Sequence, residues 1–262
     1  MKFSMMTYTL MRQGCFTPED CVQTAAKLGM AGIDWVTTYG RDPEELAKIT
    51  ADAGLEVALH TFFMPHQSEI SQKDMAQKGL DDACLLGAPG VMIVPIPYEG
   101  VTDPAENRKR WAEKLNMAAE LAAERNLVLT VENFPGIYSP VVTADDFYDL
   151  KKQVPSLKLT FDNGNAASGE DQIQSLKRCF KDVFHVHFKD WEIRETPEEG
   201  WRLMRDGRYY RPALIGEGSI DSRATLKVLE EFEYKGFINI EYENNKYPGD
   251  IAVAKALEFL NA

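Results

Sequence analysis

Four short apolar segments in the second half of the chain each finish with side chains that can bind a metal ion. The first two end in Glu132 and Asp162, the third ends in the pair His185 and His187, and the last ends in Glu241. Charged side chains at the end of an apolar segment are costly to bury unless they are paired or coordinated. The types and positions of these residues therefore point to chemistry at a shared polar centre.

A metal ion is the simplest way to hold three such carboxylates together. Converging carboxylates repel one another, and a divalent cation removes that repulsion. An oxygen-rich donor set with one imidazole suits Mn²⁺, which is the expected cofactor, with Mg²⁺, Co²⁺ and Zn²⁺ as alternatives. The competing interpretation is that each acidic residue is only the polar end of a strand, held in a salt bridge or by water.

The segments around these positions alternate in type along the whole chain. Apolar runs of strand length are separated by longer amphipathic stretches, which predicts strand–helix units and a parallel sheet. Capping residues precede proline at Thr17, Asp42 and Asp103 and mark helix starts, as do Thr143 and Asp221. The eight expected strands are Phe3–Thr7, Gly32–Val36, Glu56–Thr61, Gly90–Ile96, Leu127–Glu132, Leu157–Asp162, Val183–Phe188 and Phe237–Glu241.

Eight such units in 262 residues favour a (β/α)8 TIM barrel that forms a single domain over residues 1–262. No glycine-rich nucleotide-binding loop follows any strand, which argues against an open sheet. In a TIM barrel the chemistry lies where the strands end, so the four acidic and imidazole-bearing strand ends should share one mouth. Between residues 189 and 218 the alternating pattern is lost, and we expect a long loop between the seventh strand and the helix that follows it, which serves as a lid or substrate collar.

Composition limits the partners that the chain can have. Acidic side chains outnumber basic ones by 41 to 29, and the formal charge of −12 argues against nucleic acid and against an anionic membrane surface. No apolar run approaches the about 18 residues of a membrane span. The four cysteines form no CxxC pair and the N-terminal residues lack a signal-peptide pattern, so a cytoplasmic protein is expected.

Five segments carry recognisable motifs. They are Val131-Glu132-Asn133, Thr160-Phe161-Asp162-Asn163-Gly164-Asn165, His185-Val186-His187-Phe188-Lys189-Asp190, Ile215-Gly216-Glu217-Gly218-Ser219-Ile220-Asp221 and Ile240-Glu241-Tyr242-Glu243. Together they resemble the xylose isomerase-like superfamily of sugar isomerases and epimerases, which includes ketose 3-epimerases, inosose dehydratases, hydroxypyruvate isomerases and endonuclease IV. The resemblance follows the whole chain in order and is most specific over its second half.

The resemblance implies a ligand set and a type of reaction. The metal ligands would be Glu132, Asp162, His187 and Glu241, and His185 would lie one step deeper on the same side of its strand. The family chemistry is proton transfer next to a metal-bound carbonyl through an enediolate. Glu132 and Glu241 would be the catalytic groups that exchange protons with the reacting carbon, although one base could also perform both steps.

Four further residues are expected to bind substrate. His60 ends the third strand, where family members often contact substrate, and Lys189 lies two residues beyond the implied histidine ligand. Glu217 lies between two glycines, and Trp35 lies near the end of the second strand. The alternatives are a packed histidine, a lysine paired with an acid, a tight turn and ordinary aromatic packing.

The sequence departs from the ketose 3-epimerase pattern at three places. Asn165 stands where those enzymes carry a histidine, Tyr138 where they carry a second glutamate, and Ile193 where they carry an arginine. Endonuclease IV is a poor match, because its three-zinc cluster needs more histidines than the four present. These departures weaken both specific assignments and leave the implied metal site intact.

Three functional hypotheses follow for a small-molecule carbohydrate substrate. The first is a metal-dependent isomerase or epimerase, the second a metal-dependent lyase that dehydrates a keto-polyol or keto-acid, and the third a non-catalytic sugar-binding barrel. Arg205, Arg208 and Arg211 could meet a phosphate or carboxylate on the substrate, or pair with the acidic surface. A homodimer or homotetramer is compatible with the sequence, as is a monomer.

Overall fold

A closed barrel of eight parallel strands forms the centre of the molecule. The computed structural model describes all residues from 1 to 262. The strands are β1 (Lys2–Met6), β2 (Gly32–Val36), β3 (Glu56–Phe62), β4 (Gly90–Ile93), β5 (Val128–Glu132), β6 (Lys158–Asp162), β7 (Val183–Phe188), β8 (Asp190–Arg194), β9 (Arg202–Leu203), β10 (Tyr209–Ala213) and β11 (Phe237–Ile240). The barrel order is β1-β11-β7-β6-β5-β4-β3-β2, and β1 closes it by pairing Lys2 with Phe237 and Met5 with Ile240.

Helices follow the barrel strands and cover their outer face. All five predicted capping residues accept a hydrogen bond from the first turn of their helix, and Thr17 and Thr143 form complete capping boxes. None of the helices is both long and apolar enough to span a membrane. The helices are α1 (Tyr8–Met11), α2 (Pro18–Lys27), α3 (Pro43–Asp52), α4 (Gln72–Leu86), α5 (Pro104–Glu124), α6 (Ala144–Gln153), α7 (Asn163–Ala166), α8 (Gln172–Cys179), α9 (Ser222–Glu231) and α10 (Gly249–Asn261).

The two faces of each barrel strand have different roles. Outward side chains such as Ile33, Val91 and Phe161 join the large apolar core between the barrel and its helices. Inward side chains include a small apolar cluster, in which Met92 packs with its neighbours from β1, β2 and β3. Because successive side chains of a strand point to opposite faces, each strand contributes to both layers.

Strand β4 is shorter than the sequence pattern predicts. The apolar run continues to Ile96, but the strand ends at Ile93. Pro95 and Pro97 lack the backbone N–H that a continuing ladder needs, so the segment leaves the sheet while Val94 stays buried.

The long segment at residues 189 to 218 includes regular structure that the sequence pattern did not predict. It contains β8, β10 and β9, which form a three-stranded antiparallel sheet outside the barrel. This sheet has a small core of its own, made by the buried side chains of Trp191, Met204, Tyr210 and Ile220. Asp206 and Gly207 form the hairpin turn between β9 and β10, where the Met204 amide donates to the Arg208 carbonyl.

Asp190 fixes the backbone at the point where this segment leads back to the barrel. Its buried carboxylate accepts hydrogen bonds from the backbone amides of Trp191, Gly216, Gly218 and Ile220 at 2.8–3.1 Å. A carboxylate with four backbone donors is fully satisfied and fixes the conformation of the loop that it closes. The small sheet is therefore a docked part of the fold.

Candidate metal centre

The ends of four strands bring the predicted ligands to one point. Glu132 and Asp162 are the last residues of β5 and β6, His187 lies near the end of β7, and Glu241 directly follows β11. One donor atom from each lies within 4.8 Å of the others, and all four side chains are buried. Because β5, β6, β7 and β11 are neighbours in the barrel, their ends form a continuous arc at one side of the mouth.

The orientation of His187 is set by a carboxylate beneath it. Its Nδ1 lies 2.9 Å from Oε1 of Glu132 and 3.6 Å from Oε2 of Glu241, whereas its Nε2 lies 3.3 Å from Oδ2 of Asp34. Metal-binding histidines usually donate their second ring nitrogen to a carboxylate in this manner. The same Asp34 oxygen lies 3.0 Å from Nε2 of His185, so one carboxylate contacts both imidazoles.

Asp34 is charged despite its complete burial. Burial alone would raise its pKa, but hydrogen bonds from His185 and His187 hold the pKa of this carboxyl at about 2. A further hydrogen bond of 3.2 Å comes from the side-chain amide of Asn239. Asp34 therefore acts as a fixed acceptor that keeps Nδ1 of His187 directed at Glu132 and Glu241.

Burial disfavours the charged form of two carboxylates of the site. Burial raises the pKa of Glu132, and it raises that of Asp162 well above the ordinary value. Against its burial, the pKa of Glu241 is lowered to about 2, chiefly because the Lys189 ammonium lies beside it. The buried Oδ2 of Asp162 and Oε2 of Glu241 have no hydrogen-bond partner. Unpartnered carboxylate oxygens next to an imidazole are donors suited to a divalent cation, so these four side chains fit a divalent metal ion.

Asn133 joins the ends of β5 and β6. Its side-chain amide donates to the carbonyl of Asp162 and accepts from the amide of Asp162, both at 2.8 Å. Oδ1 of Asp162 in turn accepts from the amide of Asn165 and caps the short helix α7. These bonds leave Oδ2 of Asp162 without a partner and free to bind a metal ion.

Lys189 adds a buried positive charge at the same edge. Its Nζ lies 2.6 Å from Oε1 of Glu241 and 3.3 Å from Oε2 of Glu243. Burial opposes its charged form, but Glu241 and Glu243 raise the pKa of Lys189 well above the ordinary value. The ammonium therefore stays charged next to the ligand cluster.

A cavity of about 170 Å³ opens above the cluster at the barrel mouth. Glu132, Lys189, Glu241 and Glu243 form one wall. A larger surface groove of about 690 Å³ lies between α8 and the small sheet and contains none of the four ligands. The other wall of the mouth cavity, which is mainly apolar, consists of Met6, Tyr8, Val36, Thr61, Phe63, Met92, Val94, Ile96 and Phe134.

Three of the four expected substrate-binding residues lie outside this cavity. His60 is directed away from the interior, with Nδ1 3.0 Å from the carbonyl of Trp35, because its neighbours on β3 occupy the inward positions. Trp35 is fully buried between strand and helix, where its indole donates to Thr50 of α3. Glu217 pairs with Lys246 at 2.7 Å at the surface. Alternation along β2 and β3, which places His60 and Trp35 on the outer face, explains the first two cases.

Of the expected substrate-binding residues, Lys189 alone reaches the cavity, and it is the only residue of the 189–218 segment that does. Arg205 is held by Ser139 and Asp146, Arg208 by Asp206 and Arg211 by Glu192. The arginines of this segment therefore pair within the protein.

Sequence reasoning missed two acidic residues of the site. Asp34 interrupts the apolar strand Gly32–Val36, and a charged residue inside such a strand is a signal of a buried polar partner. Glu243 follows Glu241 by two residues and contacts Lys189. Both signals were present in the sequence, but their partners lie on distant strands.

Comparison with known proteins agrees with this geometry. The family model described as xylose isomerase-like TIM barrel matches residues 22–262. The chain belongs to this family. An inosose dehydratase of Clostridium perfringens strain 13 is 26% identical over 263 aligned residues, which cover 93% of this chain and 86% of that protein.

Two solved structures share the fold of the chain. The IolI protein with a bound zinc atom has a TM-score of 0.78 at 18% identity, covering 98% of this chain and 96% of its own. The D-psicose 3-epimerase of Clostridium cellulolyticum H10 has a TM-score of 0.75 at 15% identity, covering 100% and 98%. At these identities the structures establish the barrel fold alone, while the matching relatives are enzymes.

Proposed function

We propose that the chain is a divalent-metal-dependent enzyme that removes a proton from the carbon next to the ketone of a carbohydrate. The observation that carries the proposal is the buried cluster of Glu132, Asp162, His187 and Glu241, in which two carboxylate oxygens have no partner. Mn²⁺ is the ion that we expect, and the zinc atom bound to the IolI protein keeps Zn²⁺ as an alternative.

The residues around the cavity would have different roles in such a reaction. A bound divalent ion would polarise the ketone and stabilise negative charge on its oxygen. Glu132 and Glu241 lie at the two ends of the ligand arc, so they can exchange protons with a substrate from two directions. Asp34 keeps His187 oriented, and Lys189 places a positive charge where oxygen atoms of the substrate develop charge.

Dehydration is the outcome that we favour after proton removal. The leaving hydroxyl can take up the proton that a glutamate has accepted, and the Lys189 ammonium, the one cationic side chain in the cavity wall, can stabilise the negative charge that develops on it. The relatives at about a quarter identity carry the name inosose dehydratase. Asn165, Tyr138 and Ile193 stand where ketose 3-epimerases have other residues, which also supports a lyase.

Isomerisation or epimerisation is the second candidate. Two glutamates at opposite ends of the ligand arc are suited to removing a proton from one face of a carbon and returning it to the other. A non-catalytic sugar-binding barrel would have no need for buried carboxylates with unpartnered oxygens, because each costs free energy in the folded state.

Metal content and products test the proposal together. Wild type should contain about one Mn²⁺ per chain after loading and dialysis, and Asp162→Asn and His187→Ala should lose most of it. Metal uptake by the variants equal to that of wild type would refute the site. Loaded wild type would then be incubated with inosose and with ketoses in D₂O and followed by NMR. Loss of a hydroxyl identifies the lyase, whereas deuterium at an inverted or isomerised carbon identifies the second candidate.

A further inference from the structure

The apolar wall of the mouth cavity contains one unpartnered polar group. Met6, Val36, Met92 and Val94 supply only apolar atoms to the inner part of this wall. Thr61 lies among them, is fully buried, and its hydroxyl has no hydrogen-bond partner. A buried hydroxyl without a partner costs free energy unless a ligand or water completes it. Thr61 is therefore a donor or acceptor that the protein itself leaves free at the cavity.

The opposite wall has no free cation for an anionic substrate. Lys189 is already paired with Glu241 and Glu243, and no arginine lines the cavity. With a divalent ion bound, the carboxylates of Glu132, Asp162, Glu241 and Glu243 still exceed the positive charge of the ion and Lys189 by one. A phosphate or carboxylate on the substrate would therefore enter a cavity that repels it.

We propose that the site selects an uncharged polyhydroxy ketone, and that Thr61 binds one of its hydroxyl groups. The reacting hydroxy-ketone end faces the ligand cluster, while C–H groups of the distal part pack against Met92 and Val94. This inference rests on the proposed function, since it assumes that the ketone binds at the metal. It extends the proposed function in two ways, because it specifies that the substrate is uncharged and that Thr61 on β3 contributes to substrate specificity.

A matched pair of chelating probes tests the charge selection. D-Erythronohydroxamate and its 4-phosphate present the same hydroxamate to the metal and differ only in the phosphate. Titration calorimetry on the Mn²⁺-loaded protein should give a dissociation constant at least about tenfold lower for the probe without phosphate, because the added negative charge is unfavourable in a partly buried acidic site. Equal or tighter binding of the phosphate, with metal uptake intact, would overturn the inference and leave the proposed function standing.

Failure of both probes to bind metal-loaded protein would overturn the inference together with the proposed function. Glu243→Gln should reduce the ratio of the two dissociation constants several-fold, because it removes one carboxylate beside Lys189. Glu217→Gln is the matched control, since Glu217 pairs with Lys246 outside the cavity and should leave the ratio unchanged.

Two substitutions test the hydrogen bond. Thr61→Val keeps the shape of the side chain and removes the hydroxyl, so the probe without phosphate should bind about fivefold more weakly. Thr61→Ser should retain most of the affinity, and both variants should take up metal as wild type does. Unchanged affinity in Thr61→Val would remove Thr61 from the site.

Discussion

The two halves of the barrel mouth differ in the side chains that their strands present to the interior. Strands β1 to β4 contribute mainly apolar groups at their carboxyl ends, among them Met6, Val36 and Met92. Strands β5, β6, β7 and β11 contribute carboxylates and an imidazole. The two groups of strands are contiguous in the barrel order, so the mouth has one apolar side and one acidic side.

This difference separates stability from chemistry. Burying apolar side chains stabilises the fold, by about 1.5–3 kcal/mol for each large aliphatic residue. Burying carboxylates whose oxygens lack partners has the opposite effect. Selection for stability alone would therefore not produce the acidic half. The free energy that its buried carboxylates cost is explained if they bind a cation.

The largest expected effect is loss of turnover on neutralising either glutamate of the acidic half. Glu132→Gln and Glu241→Gln should each lower kcat by about 10²- to 10⁴-fold, because an amide cannot accept the substrate proton. The apolar half remains intact, so the thermal unfolding midpoint of Glu132→Gln should change little, whereas Glu241→Gln should lower it because Lys189 loses a buried ion-pair partner. Metal content of the same samples separates a lost base from a lost ligand.

Glu217→Gln provides the control for these variants, because it changes the same type of side chain outside the cavity. Retained activity in both Glu132→Gln and Glu241→Gln would contradict the catalytic assignment. Activity lost in only one of them would show that one base performs both proton transfers.

The next largest effect is a loss of stability when an apolar side chain of the other half is truncated. Met92 is fully buried inside the barrel, and Met92→Ala should lower the free energy of unfolding by about 3 kcal/mol through the cavity that it leaves. Metal affinity should stay within a factor of two or so, since Met92 supplies no donor atom to the cluster. Urea unfolding and metal titration measure the two quantities.

Ile251→Ala on α10 is a suitable reference, because Ile251 is 45% exposed and its truncation should change stability by less than about 0.5 kcal/mol. If Met92→Ala lowered the free energy of Mn²⁺ binding by as much as it lowers the free energy of unfolding, the two halves of the mouth would be coupled.

Local sequence signals were sufficient to locate the eight barrel strands, five helix starts and the four clustered side chains of the acidic half. Capping residues such as Thr17 and Thr143, and the apolar runs of the strands, define the helices and the barrel because both depend on nearby residues. The proposed ligands Glu132 and Glu241 could be placed at one mouth because carboxyl ends of parallel strands in a barrel meet at the same edge.

Side-chain direction explains where the sequence interpretation was insufficient. His60 and Trp35 lie near strand ends, but each occupies an outward position, and a register error of one residue reverses the face. The partners of Asp34 are on β7 and β11, more than 150 positions along the chain. The small sheet was missed because its signal is short: the Asp206-Gly207 turn between two brief strands.

Asp34 joins the two halves, and its removal should have a moderate effect on the metal. Asp34→Asn keeps the size of the side chain but leaves His187 and His185 without a charged acceptor. The affinity for Mn²⁺ should fall by about 10- to 100-fold, as is usual when the partner of a ligating histidine is changed. Competition with a fluorescent chelator measures it, with the circular dichroism spectrum as a check on folding.

The Asp34→Asn variant also distinguishes orientation from mere packing. A packing defect would lower the unfolding midpoint and leave the affinity of the folded protein for Mn²⁺ unchanged. Unaltered affinity would therefore show that Asp34 does not position His187.

The smallest expected effect is an increase in stability, in metal-free protein, on neutralising Asp162. Burial raises the pKa of this carboxyl, so its contribution to stability is fully present below its unfolded pKa of about 4 and is lost as the pH rises toward the folded value. Asp162→Asn removes that loss, and its amide can donate to the unpartnered Oε2 of Glu241.

In the presence of EDTA, Asp162→Asn should therefore gain about 1 kcal/mol over wild type at neutral pH, and the gain should shrink as the pH falls toward 4. Adding Mn²⁺ should reverse the order, because wild type alone gains binding free energy in its folded state. Urea unfolding at several pH values measures both. A metal-free Asp162→Asn protein less stable than wild type would mean that the acidic half is balanced without a cation, which would remove the physical argument for a metal at this mouth.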